Sequence, residues 1–171
     1  MDYQHEYDKR GCASIGSSAE RKFIGASIKR DYKAWKASTY ENAILGIDVW
    51  IKKNHIKKSV DVKARKKSSA KDINFNDDWT WVEYRNADGH AGWLLKKADY
   101  IAFEKEKYFI VVDRISLFNL CEKLIDKNKE KALRASEAKY IFYTRRDKEL
   151  CTQIKTSDIL SIKRKAIWDF S

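Results

Sequence analysis

Apolar and polar residues alternate in step along two neighbouring stretches of the chain. In 46–53, Ile47, Val49 and Ile51 alternate with Asp48 and Trp50, and in 57–65, Val60, Val62 and Ala64 alternate with Asp61, Lys63 and Arg65. A two-residue period marks a strand with one buried face. Asn54-His55 lies between the two runs and predicts an antiparallel hairpin. Upstream, Phe23, Ala26, Ile28, Tyr32 and Trp35 give a helix-like stripe over 17–38, and Ser17 with Glu20 has the spacing of a capping box at its start. Residues 1–16 read as an irregular arm. Downstream the pattern predicts a polar loop at 66–77, a strand at 78–86, a turn at 86–92, and strands at 98–104 and 107–114. A second helix follows over 115–133, with Leu117, Leu120, Cys121, Leu124 and Ile125 on one face, and 138–162 reads as a hairpin running into a short helix. Helix, strands, helix, strands in that order predicts an α/β fold with a central mixed sheet flanked by helices and a C-terminal β-hairpin extension.

The strand periodicity has a chemical consequence. If both strands of the hairpin turn their apolar residues to one side, Asp48, Asp61 and Lys63 share the other. Two carboxylates at close range resist joint ionisation, and a divalent cation relieves the conflict. Asp oxygens suit Mg²⁺, which keeps several waters and takes phosphate oxygens readily; Mn²⁺ substitutes. Lys63, projecting beside Asp61, is placed to orient a water or to offset charge on a phosphoryl group.

Charge and composition narrow the partners. The chain of 171 residues carries 36 Lys+Arg against 25 Asp+Glu, a formal charge of +11, which favours a polyanion. One domain of this length buries about 70% of its unfolded surface. Two basic clusters, Arg65-Lys66-Lys67 with Lys71 and Arg145-Arg146 with Lys148, are candidates for phosphate contacts. Trp79, Trp81 and Trp93 are candidates for base stacking or for sheet packing. Cys12, Cys121 and Cys151 are widely spaced and form no CxxC pair, which points away from a disulfide framework or zinc site. The polar N-terminus does not resemble a signal peptide, and no apolar run approaches the roughly 18 residues of a span. Cytoplasmic location, or host cytoplasm for a viral protein, is the expectation, with no membrane partner. His5, His55 and His90 share no metal-ligand spacing, and the chain has no P-loop or Ser-His-Asp order.

Asp48 followed after twelve residues by Asp61-Val62-Lys63 resembles the PD-(D/E)xK nuclease superfamily. The resemblance covers roughly residues 17 to 115, and Ile47 stands where that family often has proline. It implies a restriction-endonuclease-like core: a helix, a three-stranded meander, a second helix and a further strand. It also implies a metal-binding acid at the start of the second core strand and the D/E-x-K on the third. Asp48, Asp61 and Lys63 match those positions, and Glu20 matches the acid that the first helix of the family often adds. Glu83 is a further candidate ligand, against a structural role beside Arg85 or a lysine. The implied activity is Mg²⁺-dependent hydrolysis of DNA, by an endonuclease, a junction resolvase or a phage recombination nuclease, often as a homodimer; RNA is the variant substrate. Two readings compete with it. One is a nucleic-acid-binding module of the same fold without activity. The other is a small viral protein that binds an acidic protein surface.

Overall fold

The computed structural model describes residues 9–67, 73–145 and 147–170, with side chains from residue 15 onward. In chain order the elements are α1 (Lys9–Ile28), β1 (Lys33–Lys36), a π-helical segment (Glu41–Leu45), β2 (Val49–Lys53), β3 (Ile56–Lys63), β4 (Trp79–Arg85), a 3-10 turn (Trp93–Leu95), β5 (Tyr100–Glu104), β6 (Tyr108–Asp113), α2 (Arg114–Leu124), a 3-10 turn (Ala135–Glu137), β7 (Tyr143–Arg145), β8 (Glu149–Lys155), α3 (Thr156–Ser161) and β9 (Lys165–Asp169). They form a six-stranded sheet in the order β1-β2-β3-β5-β6-β9 and a three-stranded sheet in the order β4-β8-β7. β3 and β5 run parallel while the other pairs of the large sheet are antiparallel. The fold is therefore α/β with a mixed sheet.

Each face of the large sheet buries its own core. On one, Ala19, Phe23 and Ala26 of α1 pack on Val49, Ile51, Val60, Val62, Phe109 and Val111. On the other, Ile101, Phe103, Ile110 and Val112 meet Leu117 and Cys121 of α2, Ile159 of α3, and Val82, Tyr84 and Ile154 of the small sheet. Both sheets thus share one apolar cluster. The alternation in β3 gives Val60 and Val62 to the α1 side and leaves Asp61 and Lys63 facing the other way.

Several expectations need correction. The helix read at 17–38 already includes Lys9, so residues 9–16 are helical rather than an irregular arm; residues 1–8 lie outside the described residues. It ends at Ile28, where Asp31 takes a positive φ of 63° and turns the chain into β1. Tyr32 and Trp35, which completed a helical stripe on paper, belong to the connection and the strand. Ser17 consequently lies inside α1 and caps nothing. The capping box is instead at Ser38 and Glu41: the Ser38 hydroxyl accepts from Glu41 N (3.2 Å) and Glu41 Oε2 accepts from Ser38 N (2.8 Å).

The strand read at 78–86 is β4, which joins the small sheet, and it is β5 that lies against β3. The burial patterns explain the division. β4 alternates half-buried Trp79, Trp81, Glu83 and Arg85 with buried Thr80, Val82 and Tyr84, so only one face is fully covered. β5 is buried at four consecutive positions, as a central strand covered on both faces must be. The chain returns past β4 at Gly92, whose N–H donates to Tyr84 O at 2.9 Å; a Cβ there would lie 2.4 Å from Glu83 O. α2 stops at Leu124 rather than 133, and β9 was not anticipated. Among the described residues no helix is long and apolar enough to cross a membrane.

One buried cation ties these layers together. Lys105, in the β5–β6 turn, is buried and donates to Thr156 Oγ1 (3.0 Å), Thr80 Oγ1 (3.1 Å) and Asp77 O (3.1 Å). Burial, chiefly, lowers its pKa to about 8, against an opposing pull from Asp77. The folded state thus binds this proton less tightly than the unfolded chain, whose lysine titrates near 10.4. Stability from this group is lowest below pH 8 and rises as pH climbs toward the unfolded value. In denaturant titrations, the stability of the wild type relative to Lys105→Met is expected to rise by about 3 kcal/mol between roughly pH 8 and 10.5. A flat difference would show that the ammonium is not strained by burial.

Candidate functional site

The turn before β2 is built to present Asp48. The π-helical segment ends at Gly46, which takes the left-handed φ of 67°. Asp48 N then donates to Val60 O at 2.9 Å, continuing the ladder in which Val49 pairs with Val60. This register sets Asp48 opposite Asp61. The Asp48 carboxylate is oriented at both oxygens: Asn42 Nδ2 donates to Oδ1, and Val62 N donates to Oδ2 at 2.7 Å. Across the ladder Asp61 is only 2% exposed. Its Oδ1 meets Lys63 Nζ at 2.6 Å, and its Oδ2 is buried with no hydrogen-bond partner among the described residues. The Lys63 ammonium also lies 5.1 Å from the ring centre of Trp93. The structure therefore brings Asp48, Asp61 and Lys63 together on one face of the sheet.

The electrostatics follow from this crowding. Burial first, and the Asp61 carboxylate second, push the pKa of Asp48 up to about 7, against the pull of Lys63 and the Val62 N–H. Burial alone would depress Lys63, but Asp61, Asp48 and Glu83 outweigh it and hold the ammonium above its ordinary value. A buried carboxylate oxygen without a donor is costly. It sits beside a second carboxylate that resists ionisation, so the pair has the chemistry of a divalent-cation ligand set. Among the described residues no cluster of three or more His, Cys, Asp or Glu is placed to hold a metal. Mg²⁺ asks less of a protein, since one or two carboxylates with waters and substrate phosphates complete its shell. Asp48 and Asp61 fit that requirement.

Glu20 does not join them. It sits on α1, which covers the opposite face of the sheet, and pairs with Lys36 at 2.8 Å. The metal-ligand role expected for it is corrected accordingly. Glu83 comes from the small sheet toward the site: it acts electrostatically on Lys63 and Lys66, and its Oε1 accepts from Trp93 N at 3.4 Å. Arg85 instead donates to Lys148 O at 2.6 Å.

A cleft lies beside the site, between the end of β3 with residues 64–66 and the small sheet. Lys63, Lys66, Trp81, Glu83, Trp93 and Arg145 are among its lining residues. The cations expected to hold phosphate divide sharply here. Arg65 is committed to Asp77 through two contacts, 2.9 Å from Nε and 2.8 Å from the terminal nitrogen, and stacks on Phe75. Arg145 forks onto Glu149, with Nε 2.7 Å from Oε2. Both are corrected from free phosphate ligands to members of ion pairs. Lys66 has no ion-pair partner among the described residues, and burial of its ammonium, then Lys63 and Arg145, lower its pKa. Lys67 contributes its carbonyl, which accepts from Trp81 Nε1 at 3.4 Å. Lys71 and Arg146 lie outside the described residues. Trp93 is buried in the shared core, while Trp79 and Trp81 are half-buried.

Sequence reasoning missed Asn42, which orients Asp48, and named Trp93 as a stacking or packing aromatic without placing it beside Lys63. The Ser38–Glu41 box, which ends immediately before Asn42, carried a signal for the first; nothing local marked the contact made by the second. No known protein family, curated protein or solved structure matches the chain, and its function is to be read from this geometry.

Proposed function

We propose that the protein is a metal-dependent nuclease that hydrolyses phosphodiester bonds in DNA. The observation that carries this reading is the meeting of Asp48, Asp61 and Lys63 around the unpartnered Asp61 Oδ2. The order of elements supports it. α1 is followed by the antiparallel run β1-β2-β3, with Asp48 just before the second strand and Asp61-Val62-Lys63 at the end of the third. That is the placement implied by the PD-(D/E)xK resemblance. The chain departs from it after β3, where β4 and a 3-10 turn, rather than a helix, precede the further strand β5.

In this reading Asp48 and Asp61 hold the Mg²⁺. When bound, the ion supplies Lewis acidity, offsetting charge on a phosphoryl oxygen and making water a better nucleophile. Lys63 holds a proton at Nζ within reach of the scissile phosphate, where it stabilises developing negative charge and orients the attacking water. Asn42 and the Val62 N–H orient Asp48 beside Asp61, with which its carboxyl interacts directly. Lys66, with no ion-pair partner among the described residues, lines the cleft along which the substrate backbone would pass. A homodimer would present two such sites, one for each strand.

The test is incubation of purified protein with supercoiled, linear and four-way-junction DNA, with and without Mg²⁺. Metal-dependent nicking is expected; DNA binding without cutting under all metal conditions would favour the inactive binding module. Asp48→Asn sharpens it. The amide removes a buried acid that resists ionisation, but it sets an NH2 group against Asn42 Nδ2 or the Val62 N–H, both of which donate to Asp48. The two effects oppose each other, so the metal-free variant is expected to stay within about 1 kcal/mol of the wild type in stability near neutral pH while losing nicking. Calorimetry and plasmid nicking on the same preparation check both halves, and a variant that still cuts contradicts the assignment.

A further inference from the structure

The face that carries Asp61 and Lys63 continues toward the free edge of the sheet as an aromatic and cationic surface. Trp35 pairs with Trp50 across β1 and β2, and Trp50 pairs with Ser59 across β2 and β3. Because Val49, Ile51 and Val60 take the α1 side, the alternation sets Lys33, Trp35, Trp50, Lys52 and Lys57 on the same side as Asp61. Trp35 is 40% exposed, on an edge strand with nothing beyond it among the described residues. The Lys57 ammonium lies 3.7 Å from the ring centre of Trp50 and 5.3 Å from that of Trp35. Trp50 is itself fixed, its indole N–H donating to Glu41 Oε1 at 3.1 Å. Lys33, Lys52 and Lys57 have no carboxylate within salt-bridge distance among the described residues.

These features are costly to leave unused and fit one ligand chemistry. An exposed indole offers a π face, and an ammonium pinned on neighbouring rings is a pre-ordered cation that loses little side-chain freedom on binding. Trp50 is two residues from Asp48 along the chain, about 7 Å in extended backbone, close to one nucleotide step. A base with a free face matches the indole, and the adjoining phosphate matches Lys57. A duplex hides its base faces inside the stack, and carboxylates alone offer the indole no flat face.

We propose that Trp35, Trp50, Lys57 and the flanking lysines form a docking tract for a single-stranded stretch of DNA, with one base stacked on Trp35 and its phosphate on Lys57. That the tract leads substrate to Asp48 and Asp61 rests on the nuclease reading; the binding itself does not.

The test is binding of fluorescent oligo-dT by the full chain in EDTA, so that no cutting is measured, beside the corresponding dT·dA duplex and oligo-U. Trp35→Ala is expected to weaken oligo-dT by about five- to a hundredfold, with Trp35→Phe retaining part of the affinity. Duplex affinity should change by less than about twofold, and Lys57→Gln should lower the slope of log affinity on log salt by about 0.7. Binding of oligo-dT also quenches wild-type tryptophan fluorescence. Equal oligo-dT affinity in wild type and Trp35→Ala overturns the proposal, as does an equal loss on duplex, tighter binding of oligo-U than oligo-dT, or displacement of oligo-dT by polyglutamate at matched charge. A protein that binds oligo-dT through Trp35 but never nicks DNA with Mg²⁺ keeps this inference and ends the nuclease reading.

Discussion

If the nuclease proposal holds, Asp61→Ala is expected to bind DNA as the wild type does and no longer to cut it: nicking of supercoiled plasmid in Mg²⁺ should fall at least about a hundredfold. The expectation comes from where the carboxylate sits. Asp61 is almost wholly buried, one oxygen is held by Lys63, and the other has no donor among the described residues. Removing the group takes away both a ligand position and the partner that keeps the Lys63 ammonium protonated and aimed. Affinity depends on different residues. The lost charge is one among 25 acids opposing 36 cations, and the lysines proposed to meet phosphate are untouched. Binding measured in EDTA should therefore stay within about threefold of the wild type. Undiminished nicking by Asp61→Ala would move the chemistry elsewhere and leave the acid pair as a structural feature.

The site was more legible than the fold around it because strand alternation is a strong local constraint. Once Val49, Val60 and Val62 take one face, Asp48, Asp61 and Lys63 have only the other. What stayed hidden depended on non-local choices. The pattern Ser-x-x-Glu occurs at Ser17–Glu20 and at Ser38–Glu41, and the local signal is the same in both. Only packing shows that the first lies inside α1 and the second opens the turn that delivers Asn42 to Asp48. β1 is four residues long, too short for its period to be told from the end of a helix. The departure of β4 to a second sheet followed from its partner β8, some seventy residues later. The basic clusters show the same limit in charge. Composition counts cations but cannot say that Arg65 is held by Asp77 and Arg145 by Glu149 while Lys66 and Lys57 have no carboxylate within salt-bridge distance among the described residues. The cations useful to a polyanion are those the fold leaves over.

The Lys63–Asp61 pair separates a structural role from a chemical one. Lys63→Met leaves the buried Asp61 with neither oxygen paired, and breaking one side of such a pair typically costs about 3–5 kcal/mol. Loss of nicking in that variant alone would be ambiguous, because a weakened fold also inactivates. Adding Asp61→Asn removes the stranded charge, and the double variant is expected to recover most of the lost stability, since buried ion pairs contribute little net over neutral replacements. If the pair were only structural, restoring the fold would restore cutting. If Lys63 holds its proton for the phosphate and Asp61 for the metal, the double variant is stable, binds DNA and is as inert as either single change. Denaturant unfolding, binding in EDTA and plasmid nicking across wild type, two singles and the double complete the cycle. A well-folded double variant that nicks within about tenfold of the wild type is incompatible with catalysis by this pair.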